Sequence, residues 1–236
     1  MLLPMSSSDL TALHSIFSAD PYLVSDTHFF HDKVFSQFEP IRQTYAPTRA
    51  AFDDRMATTL RDHAPFVHLG DVCINTKDPD EFAKRIRSVS ARLQGVAKVL
   101  IPGNHDKRGE DLYAESGWIV VHGGIDLTTP EPTLYPDAPP FVVVRDEGRR
   151  LFLSHEPALL HRPATPHDRE ITRTLATWFT RLRGQINVHG HVHSNSLDHP
   201  TFRNVSIEAL MFTPIRLSQV VLARQGKAEP DVDFAR

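Results

Sequence analysis

At 236 residues, with 40% hydrophobic and 23% charged side chains, the chain fits one soluble globular domain with a sizeable core. A net charge of -3 excludes a strong general attraction to nucleic acid or anionic membrane, although it leaves room for a local basic groove. No apolar run reaches transmembrane length, the N-terminus lacks the basic and apolar regions of a signal peptide, and the single cysteine, Cys73, excludes an intrachain disulfide framework and suits a reducing cytoplasm.

In chain order, short apolar runs recur that end in polar, His- or Asp-bearing loops. The first is "YLVSDTH" (22–28). A helix is expected over 48–63, with Thr48 as its cap after Pro47, and "FVHLGDV" (66–72) follows as the second strand. The next helix, 78–93, has an Asp cap, an early Pro and a stop at Gly95; "KVLIPGNHD" (98–106) is the third strand. Each run reads as a buried strand delivering polar groups at its C-terminal end, and the strand–helix alternation argues for an α/β domain with a largely parallel sheet.

The second half differs. The Pro-rich stretch 128–140 reads as an exposed loop, and 141–155 as a hairpin turning at Asp146 to Gly148. "LFLSHEP" (151–157) and "INVHGHVH" (186–193) repeat the strand-then-loop shape around a helix at 168–183 that ends at Gly184. Segments 201–210 and 215–224 read as a closing antiparallel pair of strands. A single domain over 1–236 is expected, with no internal repeat.

The loops therefore present Asp26 and His28, Asp71 after Gly70, Asn104 and His105 after Gly103, His155, and His191 with His193. In open α/β sheets the loops beyond the carboxyl ends of strands converge on one crevice. Imidazole and carboxylate together suit borderline divalent ions, and two such ions need a shared carboxylate, for which Asp71 is the natural bridge. Gly70, Gly103 and Gly190 allow tight turns where a side chain would crowd the site. Taken alone, the alternating histidines 189, 191 and 193 share a face if the backbone is extended, which does not decide between metal ligands and the inward face of a strand.

"SDTH", "LGDV", "GNHD", "LSHEP" and "HGHVH" together resemble the calcineurin-like metallophosphoesterase superfamily, whose pattern is D-x-H, G-D, G-N-H-D/E, a lone H and G-H-x-H in that order. The resemblance spans residues 24–193 and is greatest to small bacterial and phage phosphoesterases. It implies a metallophosphoesterase-type αββα sandwich, two mixed sheets flanked by helices. It implies two divalent metal ions (Mn, Fe, Zn or Ni), one held by Asp26, His28, Asp71 and His193 and a second by Asp71, Asn104, His155 and His191. His105 would face the substrate phosphate, stabilising charge or protonating the leaving oxygen, and Asp106 would orient its imidazole.

The implied activity is hydrolysis of small or nucleotide-like phosphodiesters by in-line attack of a metal-bridging hydroxide. Phosphomonoesterase activity is the near alternative. A nuclease should carry a basic, aromatic surface, and no Lys/Arg tract is present, so nucleic acid is a possible but unindicated partner. A non-catalytic protein-binding scaffold should have lost ligands, and none is missing. "GDVCIN" lacks the Arg-Gly that protein phosphatases of the superfamily place after the bridging Asp.

Other residues have plainer readings. His189 is a supporting histidine, His31 and Asp32 belong to the turn after the first motif, His68 lies in a strand, and His122 falls outside the motif order. Cys73 is a small buried apolar residue. Lys107, Arg108, His161, Arg162 and His167 lie in loops near the motifs, with solvated charge as the default.

Overall fold

The computed structural model describes residues 5–158, 166–195 and 199–222. Helix α1 (Ser7–Ser18) opens the chain, closed at its start by a capping box between Ser6 and Asp9. Strands β1 (Tyr22–Val24), β2 (Phe66–His68), β3 (Lys98–Leu100) and β4 (Ile119–Val120) then pair in parallel. A π-turn at Val34–Phe38 and helix α2 (Arg42–Tyr45) lead into α3 (Arg49–Asp62), while α4 (Pro79–Arg92) and α5 (Glu110–Glu115) flank β3.

The expected caps are in place. Thr48 accepts the N–H of Ala51, and Asp78 accepts those of Asp80 and Glu81 with Pro79 in the first turn.

A second sheet follows from β5 (Gly124–Asp126), β6 (Thr133–Tyr135), β7 (Phe141–Asp146), β8 (Arg149–Ser154), β9 (Ile186–His189) and β10 (Phe202–Asn204), with α6 (Pro166–Arg181) between β8 and β9. Its order is β10-β9-β8-β7-β5-β6, mixing parallel and antiparallel pairs. The β7–β8 hairpin turns through Glu147 (φ 44°) and Gly148 (φ 77°), the double left-handed geometry that matches strand twist.

Three apolar clusters define the layers. Leu23, Val67, Val99, Val142, Leu153 and Val188 fill the space between the sheets. Their chain neighbours face outward: Val24 and Leu100 meet Phe52, Met56 and Ile86 of α3 and α4. Val143 and Phe152 meet Leu175 of α6. Both faces of each sheet are buried, which is why these strands read as continuous apolar runs. The architecture is the expected αββα sandwich of two mixed sheets.

Three expectations fail. The closing segments do not pair with each other: β10 joins β9 in parallel, and the short strand β11 (Ile215–Arg216) joins β1 antiparallel in the other sheet. Residues Leu217–Leu222 form helix α7 instead of continuing as strand, because Leu217 and Val220, three apart, both pack on the inter-sheet core. Within the Pro-rich stretch, β6 pairs with β5 as an edge strand. His161 and Arg162 lie outside the described residues, as does the side chain of His167.

Candidate metal centre

The motif residues sit just past the ends of β1, β2, β3, β8 and β9, at one edge of the sandwich. The backbone there is unusual. Asp26 (φ 59°), His28 (φ 47°), Asp71 (φ 60°), His191 (φ 70°) and His193 (φ 52°) are all left-handed without being glycine. Such conformations cost about 1 kcal/mol or more each and persist where surrounding structure over-determines them. They also correct the strand picture of "HGHVH": β9 ends at His189, and His191 and His193 reach the site from a turn.

Two glycines make the convergence possible. A Cβ on Gly190 would lie 1.9 Å from Ser25 Oγ and 2.4 Å from Asp26 Oδ2. At Gly70 (φ +87°) it would meet His155 Nδ1 at 2.5 Å.

Three of the candidate ligands are held by one atom and present another. Asp26 Oδ2 accepts the N–H of His191 (2.8 Å) and the hydroxyl of Ser206 (2.9 Å), leaving Oδ1 buried and without a hydrogen bond among the described residues. Asp71 Oδ1 accepts the N–H of His105 at 2.9 Å, leaving Oδ2 to the site. His155 Nδ1 faces the carbonyl of Leu69 at 2.7 Å, which assigns the proton to Nδ1 and the lone pair to Nε2.

The free atoms fall into two overlapping sets. Asp26 Oδ1 lies 3.8 Å from both His28 Nε2 and His193 Nε2, and the His28 and His193 rings stack at 4.9 Å. Asn104 Oδ1 lies 3.2 Å from both His155 Nε2 and His191 Nδ1, which are themselves 3.3 Å apart. Asp71 Oδ2 belongs to both sets, 3.5 Å from His28 Nε2 and 3.5 Å from His155 Nε2. Ligand atoms about 2.1 Å from a common cation stand roughly 3.0–3.4 Å apart, so these separations fit ligation after small adjustments.

The electrostatics agree. Burial pushes the Asp71 carboxyl up to about 7 against the pull of His155. At Asp26 burial raises and His193 and His155 lower, and the outcome is a carboxyl held below the usual range. Burial, then the neighbouring His193 and Arg42, hold His28 neutral. Buried Asp26 Oδ1 and both ring nitrogens of His28 lack hydrogen bonds among the described residues, a cost that cations would relieve.

His105 borders this arrangement, its Nε2 4.0 Å from Asp71 Oδ2 and its side chain 26% exposed, and burial followed by His155 lowers its pKa to about 4. It also lies close enough to His28 and Asp71 to count as a possible ligand. Asp106 does not orient it. The Asp106 carboxylate instead accepts the N–H groups of Asp71 (2.5 Å), Val72 (3.2 Å) and Gly103 (3.0 Å) and the hydroxyl of Tyr113 (3.1 Å). Its side chain turns under the loops while that of His105 turns outward, so Asp106 ties the second motif to the third.

His189 is fully buried with Nδ1 on the carbonyl of Gly190, outside the ligand sets. His68 meets the Thr27 hydroxyl, and His122 pairs with Glu110. Cys73 is buried in the core, and Lys107 and Arg108 are exposed. His31, assigned to a turn from sequence, does border the site: its ring is 5.4 Å from that of His28 and 6.2 Å from that of His105. Arg42, Glu39 and Glu208 also approach it, with no local motif to announce them.

The calcineurin-like phosphoesterase family profile matches residues 22–195, the span that carries every one of these ligand candidates. The chain belongs to the calcineurin-like phosphoesterase family. Membership makes it a hydrolase of phosphate esters that works with divalent metal. It is 26% identical over 221 residues to the uncharacterized protein MJ1445 of Methanocaldococcus jannaschii, covering 87% of this chain and 92% of that one. In fold it is similar to the protein of unknown function AQ665 from Aquifex aeolicus, at a TM-score of 0.57 and 21% identity, covering 86% of this chain and 97% of that one. A nuclease MPE from Pseudomonas putida aligns at a TM-score of only 0.34, with 22% identity over 72% of this chain and 60% of that one. No helix among the described residues of this family member is long and apolar enough to cross a membrane.

Proposed function

We propose that this phosphoesterase is dinuclear and acts on phosphodiesters, small or nucleotide-like. Asp26, His28, Asp71 and His193 would hold one cation; Asp71, Asn104, His155 and His191 would hold the other. The observation that carries the reading is the single oxygen Asp71 Oδ2, within 3.5 Å of a nitrogen from each set. When bound, two divalent cations supply an acidified water as nucleophile and polarise the phosphoryl oxygens of an in-line displacement.

The chain's own residues then bind, orient and move protons. The N–H of His191 and the Ser206 hydroxyl fix Asp26, and the N–H of His105 fixes Asp71, so both carboxylates are set before substrate arrives. His105, at the exposed edge, donates a hydrogen bond to a phosphoryl oxygen; to give a proton to the leaving oxygen it would need the bound phosphate to raise its pKa from about 4.

Charge favours a diester over a monoester. A diester carries one negative charge and a monoester up to two. Val72 and Cys73, not an arginine, follow Asp71, and Arg42 is occupied by Glu208 and backbone carbonyls. The one arginine seen to grip the first motif, Arg42, is therefore not free to take a second phosphate charge. The reducing cytoplasm, where the buried free thiol of Cys73 is at home, is the compartment proposed.

The test is hydrolysis of bis-p-nitrophenyl phosphate, p-nitrophenyl phosphate and a single-stranded oligonucleotide by chelated protein resupplied separately with Mn²⁺, Fe²⁺, Zn²⁺, Ni²⁺ or Mg²⁺. The proposal predicts metal-dependent turnover with the small diester preferred. A monoester preference makes the protein a phosphatase, preferred cleavage of the oligonucleotide makes it a nuclease, and no turnover with any ion leaves a binding scaffold.

A further inference from the structure

We propose that Glu208, anchored by Arg42, is a positioning residue for His193: its carboxylate accepts a hydrogen bond from the Nδ1–H of that imidazole, which keeps the proton on Nδ1 and so aims the Nε2 lone pair at the metal. The inference rests on the proposed ligand role of His193.

Arg42 and Glu208 are buried to 1% and 2% exposure. Arg42 Nε donates to Glu208 Oε1 at 2.6 Å, and Nη2 also reaches that oxygen. The same guanidinium donates to the carbonyl oxygens of Thr27 (2.7 Å) and Asp26 (2.5 Å). One cation thus grips the left-handed backbone of the first motif and the carboxylate beside the last. Glu208 Oε1 lies 3.5 Å from His193 Nδ1, while Nε2 on the other edge of the ring faces Asp26 Oδ1 at 3.8 Å. Among the described residues neither His193 Nδ1 nor Glu208 Oε2 has a hydrogen bond, so a small rotation of the carboxylate completes the pair.

Stability alone does not explain this network. Buried ion pairs gain little over apolar packing, because desolvation offsets their attraction. A lone imidazole can ligate through either nitrogen; a carboxylate at Nδ1 removes the ambiguity and makes Nε2 more basic. Glu39 is the weaker candidate, since its Oε1 is 4.0 Å from Nδ1 and already accepts the Ser194 hydroxyl.

The test titrates metal-free, full-length protein with Mn²⁺ by calorimetry, following each ion by electron paramagnetic resonance. Wild type is compared with His193→Ala, Glu208→Gln and the double variant Arg42→Met/Glu208→Leu, which removes both buried charges together. The double variant should stay folded, bind one Mn²⁺ as wild type does, and bind the other about 10–100-fold more weakly. Glu208→Gln, which keeps an acceptor oxygen but loses the charge, should show a smaller loss at the same ion and settles the question if the double variant does not fold. Unchanged affinity for both ions in the folded variants, or equal loss at both, would overturn the inference. Wild-type protein that binds fewer than two ions would instead defeat the ligand assignment itself, and this inference with it.

Discussion

His28 Nε2 and His155 Nε2, from the ends of strands in different sheets, each lie 3.5 Å from the same oxygen of Asp71. One carboxylate thereby joins the two donor sets, each of which draws residues from both sheets. The Asp106 carboxylate holds Asp71 there by accepting its N–H. The consequences can be tested residue by residue.

His105 stands beside the ligand sets and reaches solvent. His105→Ala should lower kcat by about 10²–10⁴-fold while metal content stays at the wild-type value. Elemental analysis beside steady-state kinetics decides; loss of an ion would make His105 a ligand.

Asp106 serves the fold of the loops, not the orientation of His105. Asp106→Ala strands the buried N–H groups of Asp71, Val72 and Gly103, and should cost about 3 kcal/mol or more in urea unfolding. An unchanged unfolding midpoint with a kinetic defect like that of His105→Ala would return Asp106 to the role expected from sequence.

Much of the site was legible because each motif ends a buried strand, and a parallel sheet brings strand ends together. Asp26, His28, Asp71, Asn104, His155, His191 and His193 could be named from spacing and resemblance. Arg42 and Glu208 could not: 166 positions separate them, and only the closed fold brings them together. The role of Asp106 is not legible in the sequence, because adjacency in "NHD" says nothing about which way consecutive side chains turn. Segment 215–224 reads either way over so short a run, since Ile215 and Leu217 suit the period of a strand while Leu217 and Val220 suit that of a helix. Helix α1 escaped notice because it buries only Leu13 and Ile16, although its Ser6–Asp9 capping box was in plain view.

Gly190→Ala should displace the Ser25 and Asp26 side chains, since the new methyl cannot coexist with Ser25 Oγ at 1.9 Å. Metal affinity should fall first at the ion held by Asp26, seen as loss of one high-affinity step in a Mn²⁺ titration. Two wild-type steps would contradict the packing described.

Buried His68 and His189 predict a pH effect. Burial, the largest cause at each, lowers their pKa values to about 3 and about 4. A base whose pKa is depressed on folding stabilises the protein above its unfolded value of about 6.5, and that stability is lost as pH falls toward the folded value. Between pH 7.5 and 5.5 each should cost about 1.4 kcal/mol. His68→Gln keeps a polar partner for Thr27 without titrating, so its loss over this range should be smaller by that amount in urea titrations. Identical pH dependence in variant and wild type would show that His68 protonates freely in the folded state.

The central claim is that Asp71 bridges two metal ions that together carry out phosphodiester hydrolysis. Its most direct test measures metal content and bis-p-nitrophenyl phosphate turnover together, for wild type and Asp71→Asn, after chelation and after reloading with Mn²⁺. Two ions per wild-type chain, turnover that vanishes on chelation and returns on reloading, and loss of both ion binding and turnover in Asp71→Asn are expected. Turnover that persists in fully chelated protein, or an Asp71→Asn variant that still binds two ions and hydrolyses the diester, would contradict it.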